Sequence, residues 1–540
     1  MLVDELIARS LRELGKDVLF GLMGDANMRY IARYLRDHGR FIPSVDEGGA
    51  VGMCDGYSRA SGISGVVSVT HGPGVTNTLT ALTEAVRARS SFVLLVSTTP
   101  PVKDHPQWLD LRTAAELTGA GYIDVRRPGD VQGEISQAFR RSSIERRPIL
   151  LDIPVVMLDA EVEYRAVEAP GIAASAQRPG PDPEVLDAAL GIAMNADRPI
   201  VLAGRGAVRS GAGPALLRLA DRLPAATATT LLAAGVFRGH PLDLGIFGTL
   251  AHPEALDFIA GADCVLAFGA GLSLHTTVDG DLLRGKTVVQ CDTDPTAINQ
   301  RWGRGLGVVA DARQLATAMA DALEVAGHDG GKAMPGWAAG LQATLAGREP
   351  WKEFTDRSTG DTIDIRTAML RLDEILPAER TIVSDVGRFC RFPWRLLRLD
   401  ADRFWHTGSF GSIGLGLSLA IGAAIARSDQ LTVALVGDGG GMMGISELTV
   451  AARERLPLLV VVLDDAAYGA ECRKLAEYGL DPDYGRQRWP EFAGLAEAYG
   501  ADAAVARSEE DVLALKSRLT GLSRPFLLDV KLDAMSIPNE

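Results

Sequence analysis

Ten short apolar runs recur along the 540-residue chain, and they limit its fold more than any other feature. They are VVSVT (66–70), FVLLVS (92–97), PILLDIP (148–154), PIVLAG (199–204), CVLAFG (264–269), TVVQCD (287–292), TIVSD (381–385), LTVALVGD (431–438), LLVVVLDD (458–465) and PFLLDV (525–530). Most are rich in β-branched residues and end in Gly, Asp, Ser or Pro, and helix-length amphipathic segments separate them. A strand that is apolar at nearly every position is covered on both faces, which is the condition of a parallel sheet between helical layers. The expected class is therefore α/β, built from doubly wound parallel sheets.

Two stretches interrupt the alternation. Residues 159–183 and 326–362 carry few strand or helix signals and several Pro, Gly and Ala, so both read as inter-domain linkers. They divide the chain into 1–158, 184–325 and 363–540, in keeping with a length that suggests about three to four domains at roughly 150 residues each. The first and third segments share a layout of helix, strand, glycine-rich turn and helix, which predicts two similar domains flanking a different one.

The bulk numbers exclude several function classes. A net charge of −14 argues against a nucleic-acid backbone or an anionic membrane as partner. No apolar run approaches the roughly 20 residues needed to span a bilayer. The N-terminal MLVDELIARSLRELG reads as an amphipathic helix, not as a targeting peptide. The five cysteines, Cys54, Cys264, Cys291, Cys390 and Cys472, are scattered and odd in number, as expected of reduced thiols in the cytoplasm.

The chemistry concentrates where LTVALV runs into Gly437-Asp438-Gly439. Parallel sheets bind ligands at the carboxyl ends of their strands, and glycines before a helix let phosphate approach backbone N–H groups. The helix is expected to begin near Met443. An aspartate there repels phosphate unless a divalent cation lies between them, so Asp438 points to Mg²⁺. The next buried strand ends in Asp464-Asp465, 27 residues after Asp438 at the second aspartate, which puts Asp465 on a neighbouring strand end.

This arrangement resembles the metal–diphosphate motif of the thiamine-diphosphate-dependent enzymes. The resemblance implies Asp438, Asp465 and the main-chain carbonyl of Ala467 as metal ligands, although the family usually has Asn where this chain has Asp465. It also implies that Gly437, Gly439, Gly440 and Tyr468 line the cofactor. In GSFGSIGLG (408–416), Gly411 is expected to offer its carbonyl to the aminopyrimidine, and Ile413 to prop the cofactor into its bent shape. Gly387 and Arg388 are expected near the diphosphate, with Arg388 as a phosphate donor.

The first segment supplies the complementary half. That cofactor needs a carboxyl group at its ring nitrogen N1′, so that the aminopyrimidine becomes a base. DEGGAVGMCDGYSRASG (46–62) resembles the family pattern, and Glu47, at a strand end before small residues that open a helix, matches the activating glutamate. Read without the resemblance, Glu47 is an acid stabilised at a helix N-terminus. The resemblance places the cofactor between two subunits, so a homodimer is the minimal active unit, and family members are commonly homotetramers. Asp25 in FGLMGDANM (20–28), Glu471 after the metal ligands, His71 in VTHGPGVTN (69–77) and His105 are further catalytic candidates. For these four, a surface or structural role stays open. The 97–112 loop resembles in overall form that of acetolactate-synthase-type carboligases, with Gln107 as a candidate.

The middle segment resembles the family's central domain, which in different members binds FAD, ADP or nothing. Arg205, Arg209 and Asp292 are where a nucleotide is expected to be held. Taken together, the chain is expected to be a thiamine-diphosphate and Mg²⁺ enzyme acting on a small 2-oxo acid such as pyruvate, with an aldehyde, ketone or acyl-CoA as the second reactant. The leading expectation is an acetolactate-synthase-like carboligase. A simple 2-oxo acid decarboxylase, a 2-hydroxyacyl-CoA or acyloin lyase, and an idle regulatory paralogue remain as alternatives.

Overall fold

The computed structural model describes residues 1–166, 178–299, 305–328, 336–346, 354–535 and 537. They form three six-stranded sheets. The first contains β1 (Val18–Gly21), β2 (Arg40–Pro43), β3 (Gly65–Ser68), β4 (Phe92–Val96), β5 (Gly121–Asp124) and β6 (Ile149–Asp152). The second contains β7 (Pro199–Ala203), β8 (Ala226–Thr229), β9 (Asp243–Ile246), β10 (Cys264–Phe268), β11 (Thr287–Asp292) and β12 (Gly305–Val309). The third contains β13 (Arg380–Ser384), β14 (Phe404–His406), β15 (Leu431–Gly437), β16 (Leu458–Asp464), β17 (Asp502–Ala506) and β18 (Phe526–Lys531).

The outer sheets have the same strand order, β2-β1-β3-β4-β6-β5 and β14-β13-β15-β16-β18-β17. The middle one differs, running β12-β11-β10-β7-β8-β9. Its order reverses between β7 and β10, which is the switch point where open α/β sheets bind ligands. All ten apolar runs are strands, and they pair in parallel through the centre of each sheet.

By contacts the chain forms two compact units, one of Met1–Ala174, Asp356–Phe392 and Trp405–Glu540, the other of Ser175–Thr355 and Pro393–Phe404. In the first unit, the outer sheets share a continuous hydrophobic core that includes Phe20, Val51, Leu419, Val436 and Leu527. The helices Glu47–Ser61 and Gly416–Ala426 cross at its centre. A Cβ on Gly56 would lie 1.9 Å from the Leu419 carbonyl oxygen, and one on Gly422 would lie 1.8 Å from that of Met53. Small residues thus allow the two backbones to touch, and larger ones would push the halves apart.

The stretch 326–362, expected to be a linker, contains the helix Gly336–Ala346. Ala338 and Leu341 join the core of the second unit, and the Trp337 ring packs 4.9 Å from Phe258. Its apolar residues are spread around the helix and form no single stripe, so burial against a neighbour, and not its own periodicity, makes it a helix. Parts of both expected linkers, 167–177, 329–335 and 347–353, lie outside the described residues. Among the described residues, no helix is long and apolar enough to cross a membrane, and all five cysteines are buried and free.

Candidate active site

β15 and β16 are adjacent, with Gly437 in register with Leu463, so the residues that follow them emerge side by side. The helix after β15 spans Asp438–Gly444, five residues earlier than its expected start near Met443. Asp438 is therefore its first residue, capped by extended Gly437. The Asp438 carboxylate is buried and fully engaged. Oδ1 accepts the Gly439 N–H at 2.8 Å. Oδ2 accepts the Ala467 N–H at 3.0 Å and the Trp489 indole N–H at 2.9 Å.

The two aspartates ending β16 have different fates. Asp464 pairs with Lys531, at 2.7 Å, and accepts the Ala466 N–H. Asp465 turns the other way, toward Asp438 and Gly469. The turn between Asp465 and Ala467 passes through Ala466 at φ 51°, a left-handed conformation that costs a non-glycine residue about 1–2 kcal/mol. Strain of this kind persists where the surrounding structure holds it, and here it brings residues 465 and 467 back to Asp438.

The two carboxyls resist ionising together. Burial pushes the Asp438 carboxyl up to about 6, with the Asp464 charge adding to it. Burial, and then the Asp438 carboxylate, push Asp465 up to about 8. Asp438 ionises first, so Asp465 meets a charge already present. A divalent cation between them would relieve both effects. Among the described residues, no three His, Cys, Asp or Glu side chains converge as a metal cage. A cation here would therefore need further oxygens, as Mg²⁺ takes from water and phosphate.

The glycines beside Asp438 leave no space for side chains. A Cβ on Gly439 would meet the Tyr468 ring at 2.6 Å, and one on Gly440 would meet Asp385 Oδ2 at 2.7 Å. Asp385, fully buried at the end of β13, binds this cradle to the 408–416 loop. It accepts from the Val386 N–H, the Thr407 hydroxyl and the Gly414 N–H, each within 2.8 Å. Ile413 lies against Gly440, and Gly411 is exposed at φ 85°. Gly387 precedes Arg388, whose guanidinium donates to the carbonyls of Ala534 (2.8 Å) and Ile537 (2.6 Å). Arg388 thus holds the C-terminal segment beside Asp465, whose charge it also feels. Glu471 is exposed on the helix Gly469–Glu477.

The remaining candidates gather at the carboxyl ends of β1 to β4. Glu47 is the first residue of its helix, behind Asp46, whose side chain caps the Gly49 N–H. Its Oε2 accepts from Asn77 at 3.0 Å, and its Oε1 faces Gly74. His71, in the same 69–77 loop, is buried; its Nε2 is 2.9 Å from the Gln107 Oε1, and its Nδ1 has no partner. The His105 ring stands edge-on to His71 at 5.8 Å. Asp25 is exposed in the turn after β1, where Gly24 packs against Thr70. Two clusters thus stand on one chain: Glu47, His71, His105 and Gln107 on one sheet, and Asp438, Asp465 and the glycine cradle on the other.

In the second unit, the glycine turns after β7 and β10 pack on one another. Gly206 donates its N–H to the Gly269 carbonyl at 2.9 Å, and a Cβ on Gly204 would meet the same oxygen at 2.3 Å. The GxG pattern around Arg205 is thus explained by two backbones in contact. Arg209 lies on the same short helix, Arg205–Ser210. Asp292 accepts its hydrogen bond from the Asp294 N–H.

Three residues placed here carry no signal of their own in the sequence: Trp489, Asn77 and Glu447, whose carboxylate accepts the Asp46 N–H, whereas Asp385 is legible as the end of the run TIVSD. Trp489 follows a region of no periodicity. Asn77 closes a loop noted only for its glycines.

Comparison with known proteins agrees along the whole chain. Residues 1–116 match the N-terminal TPP binding domain of thiamine pyrophosphate enzymes, 186–319 the central domain and 385–530 the C-terminal TPP binding domain. A probable acetolactate synthase large subunit from Methanocaldococcus jannaschii is 28% identical over 98% of this chain and 91% of its own. A sulfoacetaldehyde acetyltransferase from Rhodobacter capsulatus is 27% identical over 95% and 90%. The thiamine diphosphate-dependent 4-hydroxybenzoylformate decarboxylase of Rhodococcus jostii RHA1 superposes with a TM-score of 0.83 over 99% of both chains, at 21% identity.

Proposed function

Since the chain belongs to the thiamine pyrophosphate enzyme family, we propose that it releases CO₂ from a 2-oxo acid such as pyruvate and joins the retained acyl unit to a second carbonyl compound, as an acetolactate synthase does. The observation that carries this reading is the pairing of the buried Asp438 with the half-buried Asp465, close enough to feel its charge, beside a glycine cradle at adjacent strand ends. Carboligation is favoured over other outcomes by the relatives named for acetolactate synthesis and acetyl transfer, which align over nearly the full length.

Asp438, Asp465 and the Ala467 carbonyl would hold Mg²⁺, and the cradle of Gly437, Gly439 and Gly440 would receive the diphosphate. When bound, thiamine diphosphate supplies a nucleophilic thiazolium carbon and an electron sink for the carbanion left by decarboxylation. Glu47 would share its proton with the aminopyrimidine ring, with Asn77 fixing the orientation of the carboxyl. Ile413 and Gly411 would seat that ring. Glu47 and Asp438 have separate partners within one chain, so the working site is read as shared between the subunits of a homodimer.

A second reading, simple decarboxylation, is favoured by one feature. His71 and His105 place two imidazoles beside the Glu47 loop, and either could deliver a proton in place of a carbonyl acceptor. Incubation with pyruvate, thiamine diphosphate and Mg²⁺, followed by measurement of CO₂ and of carbon–carbon products by mass spectrometry, separates the two. CO₂ matched by acetolactate supports carboligation, CO₂ matched by acetaldehyde supports the second reading, and no CO₂ from a panel of 2-oxo acids contradicts both.

A further inference from the structure

The helix that begins at Glu47 has an incomplete N-terminus within its own domain. In a capping box, the residue at the third helical position returns a Glu or Gln side chain to the N–H of the cap. Here Asp46 caps the Gly49 N–H at 3.0 Å, but Gly49 itself has no side chain to return. The missing acceptor comes from the other sheet. Glu447 accepts the N–H of Asp46 at 3.0 Å and that of Val45 at 3.1 Å. A Cβ on Gly49 would lie 2.0 Å from Glu447 Oε1, so the glycine is required because the foreign carboxylate occupies its side-chain space.

The neighbourhood strengthens the connection. Arg453 donates to the Pro43 carbonyl at 2.6 Å, and Arg40 pairs with Glu454 at 2.7 Å. The segment 447–454 therefore grips the end of β2 and the turn that leads into Glu47. Glu447 is buried, and it lies nine residues after Asp438 along a continuous run of helical turns, Asp438–Gly444, Ile445–Glu447 and Leu448–Arg453. Burial raises its carboxyl to about 7 even though two N–H groups stabilise the charged form. A carboxyl kept in such a place has a structural cost that its hydrogen bonds to residues 45 and 46 offset.

We propose that Glu447 is a positioning residue that completes the cap of the Glu47 helix from the cofactor-binding sheet of the same chain, and so fixes the Glu47 carboxyl for its work. This rests on the reading of Glu47 as the group that activates the cofactor. If the active site is shared between subunits, Glu447 also ties the Glu47 half of one site to the Asp438 half of the other.

The test compares Glu447→Ala, Glu447→Gln and the double variant Glu447→Ala/Gly49→Glu with the unaltered protein. In the double variant, the vacated space admits a glutamate at the third helical position, so the box closes within its own helix. Hydrogen–deuterium exchange is measured over residues 40–50 in the cofactor-free protein, and kcat and KM in the loaded one. Glu447→Ala is expected to lose protection at residues 45 and 46, with kcat falling by about tenfold to a hundredfold and KM for the 2-oxo acid changing by less than about threefold. Glu447→Gln, which keeps one acceptor oxygen, is expected to fall between. The double variant should regain both protection and most of kcat. Unchanged exchange in Glu447→Ala, or regained protection without regained kcat, overturns the proposal. Should Glu447→Ala fail to fold, the double variant and Glu447→Gln decide by the same readings. Glu47→Gln run alongside identifies the source of a failure: if it turns over normally, the underlying reading of Glu47 has failed and the proposal with it.

Discussion

The indole N–H of Trp489 donates to Oδ2 of Asp438 across 2.9 Å, 51 residues away in the sequence. The same oxygen accepts the Ala467 N–H, so Asp438 is held in place before any ligand arrives. Orientation of this kind is what metal-binding carboxylates draw from their neighbours.

Replacing Trp489 with Phe keeps the ring stacked edge-on against Tyr468 and removes the donor. Mg²⁺-dependent binding of thiamine diphosphate is expected to weaken by about tenfold or more, with the fold unchanged. Calorimetric titration and circular dichroism measure the two. Unchanged affinity would mean that the backbone N–H groups alone orient Asp438.

Asp465 gives a pH dependence with a definite sign. Its carboxyl rises from an ordinary 3.8 to about 8 in the folded chain, so folding favours its protonated form. The stability this contributes is complete below the ordinary value and is lost as pH rises through about 8. The metal- and cofactor-free protein should therefore melt at a lower temperature at pH 8 than at pH 6, and Asp465→Asn should flatten that slope. In the presence of Mg²⁺ the direction reverses, because the cation binds the ionised form. Thermal scans across pH with and without Mg²⁺ test both, and parallel slopes for the two proteins would contradict the account.

Asp385 accepts hydrogen bonds from Val386 beside it, from Thr407 and from Gly414 in the 408–416 loop. Asp385→Ala leaves buried donors unpaired, with a cost on the order of 3 kcal/mol in unfolding free energy. It should also free the 408–416 loop from the glycine cradle and weaken cofactor binding. Denaturant unfolding and cofactor titration read these separately. Asp385→Asn, which retains an acceptor, should lose less in both.

Gln107 holds the Nε2 of His71. Gln107→Leu should release the ring and change how the acyl unit is divided between a proton and a carbonyl acceptor. The ratio of carbon–carbon product to CO₂ is the measurement, and a ratio identical to that of the unaltered protein would separate His71 from product choice.

Much of this architecture is legible in the sequence, and the physical boundary of what is legible is clear. The ten runs that read as buried strands lie in the middle of their sheets. Eight strands are not among them: the six edge strands, β2, β5, β9, β12, β14 and β17, and the two inner strands β1 and β8, which are only four residues long. Edge strands are covered less completely, so their composition is not a continuous apolar run; Gly305–Val309 and Asp502–Ala506 are examples. Glu47, Asp438 and Asp465 are legible because each sits at a strand end beside glycines, where only a few residues separate motif from position. Trp489 and Glu447 act across folds of the chain that no local pattern encodes. Gly204 and Gly206 show a pattern with two readings, since what suits a nucleotide also suits two turns in contact.

The proposal that the site is shared between subunits is tested most directly by mixing two inactive chains. Glu47→Gln lacks one half-site and Asp438→Ala lacks the other, and each alone should be nearly inactive. Co-expressed with two different tags and purified as a mixed dimer, they should regain turnover, because one of the two interfaces then combines an intact Glu47 with an intact Asp438 from the opposite chain. A mixed dimer as inactive as its parents, or full turnover by Glu47→Gln alone, would contradict a cofactor held by one subunit and activated by the other.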